Sequence, residues 1–306
     1  TGYGALYTNV SGQSNVGLGF TALYSNTGSF NTAVGHSALY TNSSGSYATC
    51  VGYQAGYSNT TDTELTAFGY KAAYANTTGS GGGRNTAIGV QALEAATTAY
   101  NNTAVGWRCL KSVITGTANV AMGQQAGQGH TGNESVFIGN QCATEATSGN
   151  GNTCINSSYG GSRIFSLTSE SNRLLMGHNG ITNAYVQVAW TVTSDARDKT
   201  DIVTAPYGLA FVNELRPIQY RWDRRKNYTN GQPDGTHKED KKTLGFLAQE
   251  VIELEKKYGG IAKDLLVADD EQDDMLKITE TKMIPILVKA IQELKAEFDA
   301  YKATHP

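Results

Sequence analysis

Asn85-Thr86-Ala87-Ile88-Gly89-Val90-Gln91-Ala92-Leu93 decides the fold, because the chain repeats it. The pattern returns as Asn31-Thr32-Ala33-Val34-Gly35-His36-Ser37-Ala38-Leu39, as Asn102-Thr103-Ala104-Val105-Gly106-Trp107-Arg108-Cys109-Leu110, and as Asn119-Val120-Ala121-Met122-Gly123-Gln124-Gln125-Ala126-Gly127. Its glycine recurs at Gly2, Gly19, Gly35, Gly52, Gly69, Gly89, Gly106, Gly123 and Gly139, with Asn156 in a tenth slot. The steps are 17, 16, 17, 17, 20, 17, 17, 16 and 17 residues. A fixed short period marks a solenoid, in which each unit buries its apolar face only against its neighbours. The unit is a strand and turn: Thr-Ala-Val-Gly alternates between two faces, and 17 residues are too few for two packed helices. Glycine and asparagine are expected to supply the positive-φ turns. Ten coils rising about 4.8 Å each make a β shaft of about 50 Å. Small residues in the Ala33 and Ala38 slots let backbones approach closely, inside one coil or between chains.

The four cysteines obey the same register. Cys50 and Cys154 take the slot of Ala33, and Cys109 and Cys142 that of Ala38, so they read as small buried thiols. No spacing matches a zinc site and the five histidines are scattered. The expectation is no cofactor and no metal.

Composition splits the chain. Residues 1–160 hold five acids (Asp62, Glu64, Glu94, Glu134, Glu145) and four bases (Lys71, Arg84, Arg108, Lys111), whereas the rest holds 22 acids and 20 bases. A net charge of −3 argues against nucleic acid as a partner, and no apolar run approaches the roughly 20 residues that insert in a membrane as a helix. The chain opens inside a repeat and so reads as a fragment. The domains expected are solenoid repeats over 1–162, a β connector over 163–193 with a strand-like stretch at 184–192, and a small α+β domain over 194–306.

That last domain begins with Thr193-Ser194-Asp195-Ala196-Arg197-Asp198-Lys199. Gly208–Leu215 reads as a short helix, with Leu209, Val212 and Leu215 on one face. Arg216–Trp222 reads as a strand after a proline stop, 223–242 as a loop, and Leu244–Leu254 as a strand entering a helix. Leu265–Val267 and Met275–Ile278 flank an acidic turn (Asp269, Asp270, Glu271, Asp273, Asp274), read as a solvated hairpin tip rather than a calcium loop. The final helix starts near Ile284. Ile284, Leu287, Ile291, Leu294, Phe298 and Tyr301 are spaced as a coiled-coil seam, with Lys289, Glu293, Lys295 and Glu297 outside it. The seam packs either on a partner or on its own domain.

Two families are resembled. The repeats resemble the left-handed parallel β-roll heads of trimeric autotransporter adhesins, with a longer period, which implies a trimeric parallel β-roll or β-helix. Ser194–Lys199, Leu215–Trp222, Gly245–Val251 and Ile284–Leu294 match, in order, the hallmarks of the self-cleaving intramolecular chaperone of phage tail fibres, tailspikes and endosialidases. That resemblance implies cleavage between Thr193 and Ser194, with Ser194 as nucleophile and Lys199 as general base. It also implies a homotrimer in the virion, contact with other tail proteins, and a host glycan or protein receptor. The chaperone domain would be made in the host cytoplasm and released. No turnover of an external substrate is expected.

A lysine serves as base only when neutral, which burial or a nearby cation favours. Arg197 is the candidate cation. Residues five apart lie on opposite strand faces, so Ser194 and Lys199 meet only if the chain turns between them or the lysine comes from another subunit. The expectation is a site that forms only in the assembled trimer.

Two other readings stay open. A polysaccharide-depolymerase shaft needs two carboxylates, and Asp62 with Glu64 is the nearest pair. A bacterial trimeric adhesin would end in membrane strands, whereas this chain ends in a polar-faced helix. A related cleavage domain also occurs in membrane-bound transcription factors, but no basic DNA-reading segment is present.

Overall fold

Ten three-residue strands carry the repeat. They are β1 Val16–Leu18, β2 Thr32–Val34, β3 Thr49–Val51, β4 Thr66–Phe68, β5 Thr86–Ile88, β6 Thr103–Val105, β7 Val120–Met122, β8 Val136–Ile138, β9 Thr153–Ile155 and β10 Leu174–Met176. All pair in parallel, in sequence order, as one sheet. The register superposes equivalent slots: Ala33 lies beside Cys50 and Val34 beside Val51. β10 extends this sheet into the stretch read as connector. The computed structural model describes residues 1–77, 83–156, 167–178, 181, 184–187, 191–260, 266, 276 and 278–305. It forms two units, Thr1–Gln187 and Val188–Pro306.

Inside the solenoid the middle residue of every strand is buried, and in all but β8 and β10 it is glycine, alanine or cysteine; the Ala22, Ala38, Ala72 and Ala92 slots and all four free cysteines are buried too. Burial raises the Cys109 thiol to about 12 and pushes Cys50 up as well, which leaves them unreactive. Where a strand centre is large, the partner slot shrinks. Phe137 replaces alanine in β8, and Gly127 stands where other coils carry leucine; a Cβ there would lie 2.5 Å from the Phe137 ring.

The recurrent glycine is needed for two reasons. Gly35 has φ +132, and a Cβ on it would meet the Gly52 carbonyl oxygen at 2.4 Å. Glycine and asparagine supply part of the positive-φ backbone, as expected, and other residues supply the rest. Thr21, Leu23, Leu39, Gln91, Leu93 and Leu110 all sit near φ +50. Such backbone costs on the order of 1–2 kcal/mol per residue. It is held by coil-to-coil hydrogen bonds such as Leu39 N–H to Ala55 O at 3.0 Å and by burial of the leucines themselves.

Polar ladders run through the coils. Asn42 Nδ2 donates to Asn26 Oδ1 at 2.6 Å, Asn59 to Asn42 at 2.7 Å, and Asn76 to Asn59 at 3.0 Å. Tyr7, Tyr24, Tyr40, Tyr57 and Tyr74 stack face on face at 5.0–5.2 Å. Ring faces therefore cover one another along the stack.

One coil breaks the polar pattern. His130 is fully buried, packs edge-on at 4.8 Å against Phe137, and has a hydrogen-bond partner at neither ring nitrogen. Burial lowers its pKa from 6.5 to about 4. Between those values the unfolded chain binds a proton that the folded one refuses, so stability falls as pH drops from 6.5 towards 4. Between pH 7 and pH 4.5 the wild type should lose about 2–3 kcal/mol more than His130→Val. Urea midpoints of both proteins at both pH values check this; equal losses contradict it.

The second unit contains α1 Leu209–Glu214, β11 Ile218–Arg221, β12 Lys242–Gly245, α2 Ala248–Lys257 and α3 Met283–Thr304. β11 and β12 pair antiparallel, Tyr220 opposite Thr243. The core gathers Tyr207, Phe211, Val251, Leu266, Met283 and Ile286. The α1 face differs from the expected one. Phe211 is its buried anchor, stacked on Tyr207 at 4.3 Å, while Leu209, Val212 and Leu215 are half-buried. The acidic turn at 269–274 lies outside the described residues. Thr279 N–H donates to Leu266 O at 2.8 Å, joining what remains of the two expected hairpin arms.

α3 settles the face of the seam within one chain. Met283, Ile286 and Ala290 are buried. Ile284, Leu287, Ile291, Leu294, Phe298 and Tyr301 are all exposed, between 44% and 65%. The seam does not pack on its own domain.

Candidate active site

Thr193, Ser194 and Lys199 are exposed, and around them the chain is extended rather than sheet-bound. The strand expected over 184–192 is not formed at 184–187, 191 or 192; residues 188–190 lie outside the described set. Among the described residues no strand pairs with this stretch, and Tyr185 is 93% exposed.

A single 3₁₀ turn at Ala196–Asp198 changes the geometry. Asp195 caps it: its Oδ1 accepts from Arg197 N–H at 2.9 Å. Asp198 N–H donates to Asp195 O and Lys199 N–H to Ala196 O, each at 3.2 Å. The turn reverses the chain enough that Lys199 Nζ lies 2.7 Å from Ser194 Oγ and 3.3 Å from Ser194 O. The pair therefore meets within one chain, and a lysine from another subunit is not required for contact.

Arg197 does not act as expected. Its Nη2 lies 2.6 Å from Asp195 Oδ2 and its Nε 3.1 Å from both carboxylate oxygens. The ion pair lowers the Asp195 pKa and raises that of Arg197, in each case chiefly through the side-chain hydrogen bond between them. The guanidinium charge is thus offset beside its own carboxylate instead of opposing a charge on Lys199. The sequence reading missed this Asp195–Arg197 device. An aspartate that accepts from the amide two residues on is a turn-forming pattern visible in sequence.

Farther along the chain, α3 holds the segment that leads into α1. Glu293 Oε2 accepts Leu209 N–H at 2.6 Å, and Lys289 Nζ donates to Ala205 O at 2.7 Å. Arg216 and Glu250, from two separate sequence motifs, form an ion pair.

Residues 194–260 match the family model described as chaperone of endosialidase. Over that stretch the chain is similar to that family's domain. Its first matched residue is Ser194, the residue that meets Lys199. This family consists of self-cleaving intramolecular chaperones. Together with the β-solenoid before it, the domain fits a tail fibre with a C-terminal chaperone. No curated protein and no solved structure matches the chain.

The candidate carboxylate pair of a depolymerase is not brought together as a site. Asp62 is buried and accepts from Asn76 Nδ2 at 2.7 Å, while the exposed Glu64 pairs with Arg84 at 3.0 Å. Among the described residues, no group of three or more His, Cys, Asp or Glu is placed to hold a metal, and no helix is long and apolar enough to cross a membrane.

Proposed function

We propose that this chain is part of a phage tail fibre or tailspike whose C-terminal domain brings three copies into register, guides the solenoid, and then cuts itself off between Thr193 and Ser194. The observation that carries the reading is the 2.7 Å contact between Lys199 Nζ and Ser194 Oγ at the first residue of the family match. Neutral Lys199 takes the hydroxyl proton, and Oγ attacks the Thr193 carbonyl carbon. The C–N bond breaks as the protonated Lys199 returns that proton to the Ser194 nitrogen, which leaves as an amine, and an ester joins Thr193 to Ser194 Oγ. Water hydrolyses that ester to a Thr193 carboxylic acid and a restored serine hydroxyl.

Assembly enters through solvent rather than through spacing. A water-exposed lysine is held in its charged form, and covering it favours the neutral one. Lys199 is exposed in a single chain, so neighbouring copies supply the cover. Two surfaces support self-association. The outward residue ending each strand is apolar over ten coils, from Leu18 through Val34, Val51 and Phe68 to Met176. The seam of α3 is exposed along its length. Parallel β assembly in register is slow and aggregation-prone, which a pre-formed trimeric end relieves. The shaft left behind is kinetically stable and contacts the host surface.

A time course on a denaturing gel tests the proposal. Freshly folded full-length chain should yield fragments of 193 and 113 residues without added protease, and only in fractions that elute as trimer. Fragments arising equally in monomer fractions sink the assembly requirement.

A further inference from the structure

We infer that Asp195 is a positioning residue for self-cleavage, and that its task is to cap the turn that delivers Lys199 to Ser194. The inference rests on the dyad proposed above and goes beyond it. Three observations carry it. First, Ser194 and Lys199 are five apart, and extended chain would point them to opposite faces; only the Ala196–Asp198 turn brings Nζ to 2.7 Å from Oγ. Second, this turn has no buried residue and lies in an exposed stretch. Apolar packing therefore does not hold it, and a single turn is unfavourable by itself. Third, the local bonds converge on Asp195. Its backbone is extended (φ −69, ψ 134) in the manner of an N-cap, its Oδ1 takes the Arg197 amide, and its carboxylate holds the Arg197 side chain through both Nε and Nη2.

The two bonds made by the carboxylate differ in what they do. The amide bond closes the turn. The guanidinium bond fixes the rotamer of the carboxylate that makes it, and an exposed ion pair of this kind contributes little by itself. Capping is thus the main role and charge the lesser one. Asparagine and serine cap as aspartate does, whereas alanine does not.

The test compares first-order cleavage of the assembled full-length chain in Asp195→Ala, Asp195→Asn, Asp195→Ser and Arg197→Ala, with Ser194→Ala as the reference. Asp195→Ala should cut about five- to tenfold more slowly, in line with the loss of an N-cap. Asp195→Asn and Asp195→Ser should stay within about threefold of wild type, and Arg197→Ala should do the same. Trimer content and melting temperature, measured with Ser194→Ala added to each variant to prevent cutting, should not change, because the turn belongs to neither hydrophobic core and the seam of α3 lies elsewhere in the chain. Rescue by asparagine and serine is the readout that a role in charge or in general folding would not give. Two results overturn the inference: Asp195→Ala cutting at the wild-type rate, or Asp195→Asn as slow as Asp195→Ala. If Ser194→Ala itself cuts, the dyad has failed rather than the cap.

Discussion

Ser194→Ala and Lys199→Ala should each leave the chain uncut, with single-turnover rates at least about a thousandfold below wild type. The serine supplies the only hydroxyl that the lysine touches at this turn, and the lysine supplies the base at 2.7 Å. Both are exposed, so neither loss opens a cavity, and trimer and melting temperature should be unaffected. Lys199→Arg separates base from charge. A guanidinium keeps its proton at any working pH, so the arginine variant should be as inert as the alanine one. Ser194→Cys should retain cutting, because a thiol in the same place remains a nucleophile. Quantitative gels over hours check all four. Full activity of Lys199→Arg would show that a positive charge, and not a base, is what position 199 provides.

Ile291→Asp combined with Leu294→Asp should abolish trimerisation and cleavage together. Both side chains lie on the exposed seam of α3, away from the buried Met283, Ile286 and Ala290. The fold of one chain therefore tolerates the change. In a parallel three-stranded seam, however, each substitution gathers three carboxylates in an apolar layer, and an unpaired charge buried there costs at least about 3–5 kcal/mol. With the ends unregistered, the single-chain Ser194–Lys199 contact persists but Lys199 stays in water. Light scattering should report a monomer and the gel an intact chain. Lys295→Ala, outside the seam, should change neither. A monomer that still cuts would place the active site wholly within one chain.

How much of this was legible in the sequence differs from element to element. The solenoid was, because a period of about 17 residues with alternating Thr-Ala-Val leaves one way to bury alanine. The left-handed backbone at Leu23, Leu39 and Leu93 was not. Intrinsic preference assigns positive φ to glycine and asparagine, and closure of the coil overrides it. The α3 heptads were legible as a seam, but which face a helix turns inward depends on what it meets; here α1 and the core take Met283, Ile286 and Ala290. Phe211 escaped notice because helical spacing alone favoured Leu209, Val212 and Leu215. At the candidate site Ser194 and Lys199 were legible as a pair and their contact was not. A five-residue spacing says nothing of a turn, and Asp195 makes this one by accepting the amide two residues on.

The bond at which the chain is cut is the deciding observation. Intact-mass spectrometry of the products from assembled wild-type protein should find a 113-residue fragment with a free amine on Ser194, and a partner ending in the Thr193 carboxylic acid. A boundary at any other bond, or an uncut chain in assembled trimers, would contradict self-cleavage between Thr193 and Ser194.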